Sequence, residues 1–264
     1  CERACHPGVA TMRLTVVGCS GSYPGPDSPA SCYLVEAEDQ GRTWRVLLDL
    51  GSGALGRLHR HADPLSVDAV FLSHLHPDHW FDMSGYYVMR KYHPAGAPPR
   101  IPVHGPPGVA KQMASAYGLS ETPGMTGEFD FHEYDDHDVV TVGPLTVEVT
   151  RVAHPIPTYA MKVSHQDSSF VYSADTAPCD ALVDLARGTD LLLAEASFRE
   201  GEDNPEGLHM TGKEAAEMAV RADAGRLVLT HIPPWYDAKV ALDEARPVFR
   251  GPLELARCGA KYDV

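Results

Sequence analysis

The residues of this chain best suited to chemistry crowd into one run, His74-Leu75-His76-Pro77-Asp78-His79. Imidazole and carboxylate together suit zinc, iron or manganese. Four ligands from one short turn do not easily surround a single ion. Two at one metal and two at its neighbour is the easier geometry, and it calls for further ligands from elsewhere, one of them bridging the pair. His154, Asp175 and His231 are placed to supply them. Taken singly, each is an ordinary polar residue in a loop; their common position after a strand makes them a set. His209 stands slightly apart. It precedes Thr211-Gly212-Lys213-Glu214, a capping-box pattern that opens a helix, and a helix N-terminus favours an anion.

The elements that must position these residues can be read from apolar and β-branched content. Residues 67–73 form a buried strand running into the His cluster. Strands at 147–152, 170–173 and 227–230 run into His154, Asp175 and His231. Strand ends gather on one rim of a sheet, so all seven candidate ligands can converge. Further strands are expected at 13–17, 32–36, 45–49, 101–103, 159–163 and 191–194. Helices are expected at 55–61, 82–90, 109–117, 181–187, 211–222 and 238–245. The polar, acidic stretch 120–138 reads as a long surface loop or lid. Strands and helices alternate and no linker divides the chain, which predicts one α/β domain with two sheets enclosed by helices.

Composition narrows the function. The 264 residues include 36 acids and 22 Lys and Arg, a formal charge of −14. No basic stripe is visible, which argues against a grip on extended nucleic acid. No apolar run approaches the roughly 18 residues of a membrane span. The six cysteines form no CxxC pair and read as reduced thiols of a cytoplasmic protein. Residues 1–11 lack the apolar core of a secretory signal. They are expected to be an extension without fixed structure, ahead of a single domain over 12–264.

The run HLHPDH resembles the HxHxDH motif of the metallo-β-lactamase fold superfamily, and the ligand order along the chain is similar too. That resemblance implies a four-layer αββα sandwich. It also implies two divalent metal ions, Zn2+ first and Mn2+ or Fe2+ as alternatives. His74, His76 and His154 would hold one ion, Asp78, His79 and His231 the other, and Asp175 would bridge them. The fold hosts many hydrolases, so the motif is weak for substrate.

Glu195-Ala196-Ser197-Phe198, His209 and Leu229-Thr230-His231 resemble the ribonuclease Z-like branch, whose members cleave phosphodiesters. In that branch the histidine ahead of the helix assists the leaving group. Ribonuclease Z carries a long tRNA-gripping arm between the third histidine ligand and the bridging aspartate, whereas here only residues 155–174 intervene. The segments GCSGSYPGPDSPAS, Arg90-Lys91-Tyr92-His93-Pro94 and His231-Ile232-Pro233-Pro234-Trp235 resemble an actinobacterial group similar to atypical class II cyclic nucleotide phosphodiesterases. By that resemblance the substrate is a 3′,5′-cyclic nucleotide, cAMP first, opened to a 5′-monophosphate. Asp78 would orient the attacking hydroxide and His209 would protonate the leaving oxygen. A homodimer is implied by the resemblance alone.

Around this set, Asp49 is a candidate to orient His74 or His76, and Glu195 to support a histidine ligand. Ser20 is a candidate substrate-facing residue, and Tyr159 or Trp235 a stacking surface for a purine. His104, His132, His137 and His165 have no place in the pattern and are expected at the surface. The rival readings are an RNA-processing nuclease, a thioester or lactone hydrolase on the same fold, and a non-enzymatic metal- or nucleotide-binding regulator.

Overall fold

β-Branched and leucine-rich segments pair into two seven-stranded sheets in a computed structural model that describes residues 12–264. The expectation made for residues 1–11 lies outside the described residues. The first sheet contains β1 (Met12–Gly18), β2 (Cys32–Asp39), β3 (Arg42–Leu48), β4 (Ala69–Phe71), β5 (Ile101–Gly105), β6 (Phe129–Glu133) and β14 (Lys261–Asp263). Their order is β14-β1-β2-β3-β4-β5-β6. The second contains β7 (Val139–Val142), β8 (Leu145–Arg151), β9 (Tyr159–His165), β10 (Ser168–Tyr172), β11 (Leu191–Glu195), β12 (Leu227–Thr230) and β13 (Leu253–Leu255). Their order is β13-β12-β11-β10-β9-β8-β7.

The two sheets face each other across a core that includes Val16, Tyr33, Val46 and Phe71 from the first and Val147, Met161, Phe170 and Leu193 from the second. Helices cover the outer faces. Ahead of the second sheet in sequence come α1 (Ala54–Leu58), α2 (Pro77–Trp80), α3 (Met83–Lys91) and α4 (Val109–Ala116). Residues of all four, among them Leu58, Trp80, Tyr87 and Met113, pack with the outer face of the first sheet. The helices α5 (Asp180–Leu185), α6 (Gly212–Arg221) and α7 (Lys239–Ala245) do the same for the second through Leu182, Ala216 and Ala241. This is the αββα sandwich. Burial follows from it: β11 and β12 lie under helices on one side and the opposite sheet on the other, and every residue in them is buried.

Topology brings the functional residues to one edge. β10, β11 and β12 are mutually parallel. β8 and β10 both run antiparallel to β9, so β8 ends on the same rim as the other three. In the first sheet β3 and β4 are parallel and leave together. Two hydrogen bonds tie the rims: Tyr172 Oη donates to Asp49 at 2.9 Å, and Tyr33 Oη meets Thr230 Oγ1 at 2.7 Å.

Several expectations need correcting. The stretch 120–138 is not all loop: β6 crosses it and pairs in parallel with β5, with Phe129 buried in the outer core of the first sheet and Phe131 packed beside it. Two short strands near the end of the chain, β13 and β14, were not foreseen; they extend the two sheets beside β12 and β1. His165 is buried, its Nδ1 donating to Pro144 O at 3.2 Å. The capping box at Thr211 is present, with Glu214 Oε2 accepting from Thr211 N at 2.8 Å.

Candidate metal centre

The candidate ligands gather where strands end, with Asp78 and His79 carried by the short helix α2 that follows β4. Asp49 after β3, Ala174 just before Asp175, and His231 after β12 all have left-handed backbones, with φ of 60°, 52° and 55°. Such a conformation costs a non-glycine residue on the order of 1–3 kcal/mol. Three such turns, all on this rim, mark it as a place where position is held against preference. Gly51 serves the same end by close approach. A Cβ there would lie 1.9 Å from Asp78 O, so only glycine lets the β3 exit lie flat against α2. Leu50 N then donates to His79 O at 2.8 Å.

Hydrogen bonding fixes the imidazole tautomers. Ser73 Oγ donates to Asp49 Oδ2 (2.8 Å) and accepts from His74 Nδ1 (3.0 Å). His79 Nδ1 donates to Asp49 Oδ2 at 2.7 Å, and His154 Nδ1 to Leu208 O at 2.8 Å. Ser197 Oγ accepts from His231 Nδ1 at 2.9 Å and donates to His231 O at 2.7 Å. With Nδ1 committed as donor in these four rings, each Nε2 offers a lone pair whenever its ring is neutral.

Those lone pairs converge. His74 Nε2 lies 3.1 Å from His76 Nδ1, which lies 3.2 Å from His154 Nε2. His79 Nε2 lies 3.1 Å from His231 Nε2, which lies 3.1 Å from Asp78 Oδ2. Facing lone pairs at these separations repel unless a cation lies between them. Asp175 spans the two groups, Oδ2 at 3.6 Å from His74 Nε2 and Oδ1 at 3.3 Å from His79 Nε2. Its Oδ1 is buried and accepts no hydrogen bond, which a native site seldom tolerates without an ion. His74, His76, His154 and Asp175 form one set able to hold a metal, and Asp78, His79 and His231 a second. The donor chemistry fits two divalent ions bridged by Asp175.

Electrostatics agree. Burial opposes charge on His79, yet Asp175, Asp78 and Asp49 together hold its pKa well above the ordinary value. His74, equally buried, has its pKa held well below by burial and by His79. Burial disfavours the charged form of Asp175, but His231 and His79 outweigh it and keep the carboxyl well below the usual range. The pocket as a whole therefore favours a cation, and protons compete for the same place. Metal affinity is accordingly expected to fall in acid.

His209 sits beside both sets, its ring centroid 5.5 Å from His154 and 5.9 Å from His231. It is also within reach of Asp175 and His231 as a third group of ligands, but its Nδ1 is engaged by Glu195 Oε1 at 2.8 Å. Glu195 is fully buried and accepts as well from Thr176 N (2.7 Å) and Ser197 N (3.2 Å). Burial works against charge on His209, but the Glu195 carboxylate wins and pushes it up to about 9.

The supporting candidates fall out differently from expectation. Asp49 bonds His79 directly and reaches His74 only through Ser73; it makes no bond to His76. The reason is the β3 turn, which aims its carboxylate under α2. Glu195 supports His209 rather than one of the seven histidines and aspartates of the two sets. Tyr159 does not face the cleft: it is buried between the sheets against Tyr134, centroids 5.0 Å apart. Ser20 is buried, and its backbone bridges Ala30 and Ile232; it shapes a loop. Trp235 is exposed and tilted against Tyr23. Ser73, Ser197, Tyr172 and the Leu208 carbonyl, which orient the ligands, were not singled out from the sequence.

Asp49 gives a direct check on these supports. Partners of ligand histidines typically contribute about 10–100-fold in metal affinity. Asp49→Asn, which keeps size but removes the charge under His79, is expected to weaken binding at the second set by about that factor, measured by competition with a chromogenic chelator.

A β-lactamase superfamily domain matches residues 44–232, and the chain belongs to that superfamily. A protein of Mycobacterium leprae described only as uncharacterized is 43% identical over 98% of this chain and 93% of its own. The probable metallo-hydrolase YhfI of Bacillus subtilis is 29% identical over 96% of this chain and 100% of its own. Ribonuclease Z of Myxococcus xanthus is 28% identical, covering 94% and 96%. The crystal structure of YhfI superposes with a TM-score of 0.85 at 27% identity over 96% of this chain and 100% of that one. Within the superfamily the chain is thus similar to YhfI and to ribonuclease Z. Yeast PDE1 shares the fold, with a TM-score of 0.73 at 13% identity over 97% and 100%. Among the described residues no helix is long and apolar enough to cross a membrane.

Proposed function

We propose that this metallo-hydrolase cleaves phosphodiesters, and specifically opens 3′,5′-cyclic nucleotides, cAMP first, to 5′-monophosphates. The observation that carries the reading is His209, held on buried Glu195 and poised beside the two ligand sets. When bound, two divalent ions would neutralise phosphate charge and supply a water of lowered pKa. The protein's own groups do the rest. Asp78, whose side chain is 12% exposed, against 3% for Asp175, is the carboxylate open enough to orient the attacking water. His209 Nδ1 is occupied by Glu195, which leaves Nε2–H as the proton donor to the departing 3′-oxygen. Glu195 holds that imidazole charged at neutral pH and aims it.

Two observations favour a small substrate over RNA. Residues 155–174 are filled by β9 and β10, joined by a two-residue turn, leaving no arm to grip a tRNA. The net charge of −14 points the same way. The relative named ribonuclease Z supports phosphate esters over lactones or thioesters.

The test offers cAMP, a tRNA precursor and an acyl-lactone in parallel to protein loaded with Zn2+, Mn2+ or Fe2+. AMP release with the phosphate on the 5′-oxygen is expected. Cleavage of the tRNA or lactone alone, or no AMP with any of the metals, overturns the reading.

A further inference from the structure

An arc of aromatic side chains runs outward from the site. Phe198 meets the His209 ring edge-on at 5.0 Å. The next residue, Arg199, lays its guanidinium 3.7 Å over the Tyr236 ring. Tyr236 meets Trp235 at 6.0 Å, and Trp235 lies 5.2 Å from Tyr23 at an interplanar angle of 32°. The two segments that carry the outer members are anchored to a ligand. His231 N donates to Cys19 O at 3.1 Å, and Gly21 N donates to Ile232 O at 3.2 Å. A Cβ on Gly21 would lie 2.1 Å from His231 O, so the loop bearing Tyr23 rests directly on the backbone of a metal-ligand residue. Tyr236 Oη is fixed by Glu202 at 3.0 Å.

The outer end of the arc is bare. Trp235 is 57% exposed and Tyr23 42%, whereas Trp80 is buried and Trp44 lies under the Arg42 guanidinium. Large aromatic faces left in water, on loops tied to the backbone of His231, are what a flat, π-bearing ligand needs, and base–aromatic stacking is tolerant of which base is offered. The groove at the inner end of the arc is unsuited to that role. The groove beyond His209, about 490 Å³, is bordered by Glu200, Glu206 and Glu214 and its one aromatic, Phe198, is turned edge-on to His209.

We infer that Tyr23 and Trp235 form the platform on which the substrate's nucleobase stacks while its phosphate lies at the two ligand sets; this rests on the cyclic-nucleotide reading above. The platform sets affinity and leaves the bond-breaking step to the other residues. Its removal therefore raises KM and spares kcat.

The experiment compares cAMP with its abasic analogue, methyl riboside 3′,5′-cyclic phosphate. Trp235→Ala is expected to raise KM for cAMP about tenfold, keep kcat within about twofold, and leave the abasic substrate unaffected. Trp235→Phe should recover most of the loss. AMP should quench tryptophan emission of the wild type, ribose 5-phosphate should not, and the quench should vanish in Trp235→Phe. Equal loss on both substrates overturns the platform, because that is the mark of a structural role. Unchanged KM with a fall in solution mass also overturns it, because the patch then holds a second copy of the chain. If neither cyclic phosphate is hydrolysed, the cyclic-nucleotide reading fails on its own. The platform then stands if Trp235→Phe abolishes an AMP quench and falls if AMP does not quench.

Discussion

Replacing His209 with Ala is expected to lower kcat by about 10²–10⁴-fold, the usual contribution of a positioned proton donor, with the metal content unchanged. Both halves matter. His209 lies close enough to Asp175 and His231 to be mistaken for a ligand, and a ligand's loss would empty the site along with the activity. The pH profile separates the roles further. A proton donor works only while protonated, so activity should persist through neutral pH and fall on the alkaline side, by about pH 9. Bound cations oppose a charged imidazole and bring that limb lower. Glu195→Gln removes the carboxylate that raises the pKa, so the limb should move toward the ordinary histidine value of about 6.5. Metal analysis of His209→Ala and kcat profiles of Glu195→Gln check the assignment. An alkaline limb that stays in place in Glu195→Gln would show that another group limits the rate.

Asp175→Ala should be the more damaging change. Asp175 belongs to the first set and reaches the second, 2% exposed, with Oδ2 toward His74 and Oδ1 toward His79. Losing a support for a ligand histidine costs about 10–100-fold in affinity or activity; losing the bridge should exceed that, and the protein should retain fewer than two ions per chain by elemental analysis. Stability gives a second readout. The unliganded cluster sets lone pair against lone pair, so binding of metal stabilises the fold by linkage. A chelator should therefore lower the melting temperature of the wild type and hardly alter that of Asp175→Ala. Full metal content in Asp175→Ala would remove the bridge from the argument.

Much of this site was legible because ligand chemistry needs particular residue types, and because strand ends on one rim can be read from apolar runs. His74, His76, Asp78 and His79 announce themselves by density, and His154, Asp175 and His231 by following strands. What escaped depends on contacts between distant segments. Nothing in the spacing of Asp49 says that it bonds His79 rather than His76; the left-handed turn after β3 decides that. Tyr159 has the type of a stacking residue, and only the packing of two sheets shows it buried against Tyr134. In the acid-rich stretch 120–138 a signal was available: Phe129 and Phe131 alternate with polar residues, the period of a strand. β13 and β14 are three residues each, too short for any period, and exist because neighbouring strands leave edges open to them.

The two ligand sets straddle the line where the layers meet. His74, His76, Asp78 and His79 come from segments that leave the first sheet, and His154, Asp175 and His231 from the second. Ions held in common by both layers would act as rivets. A loaded molecule cannot breathe by parting its layers without lengthening metal bonds, so ligand traffic must pass over the loops along the rim. Those loops, bearing Tyr23, Phe198 and Trp235, are then the parts free to evolve new substrates while the riveted frame stays as it is.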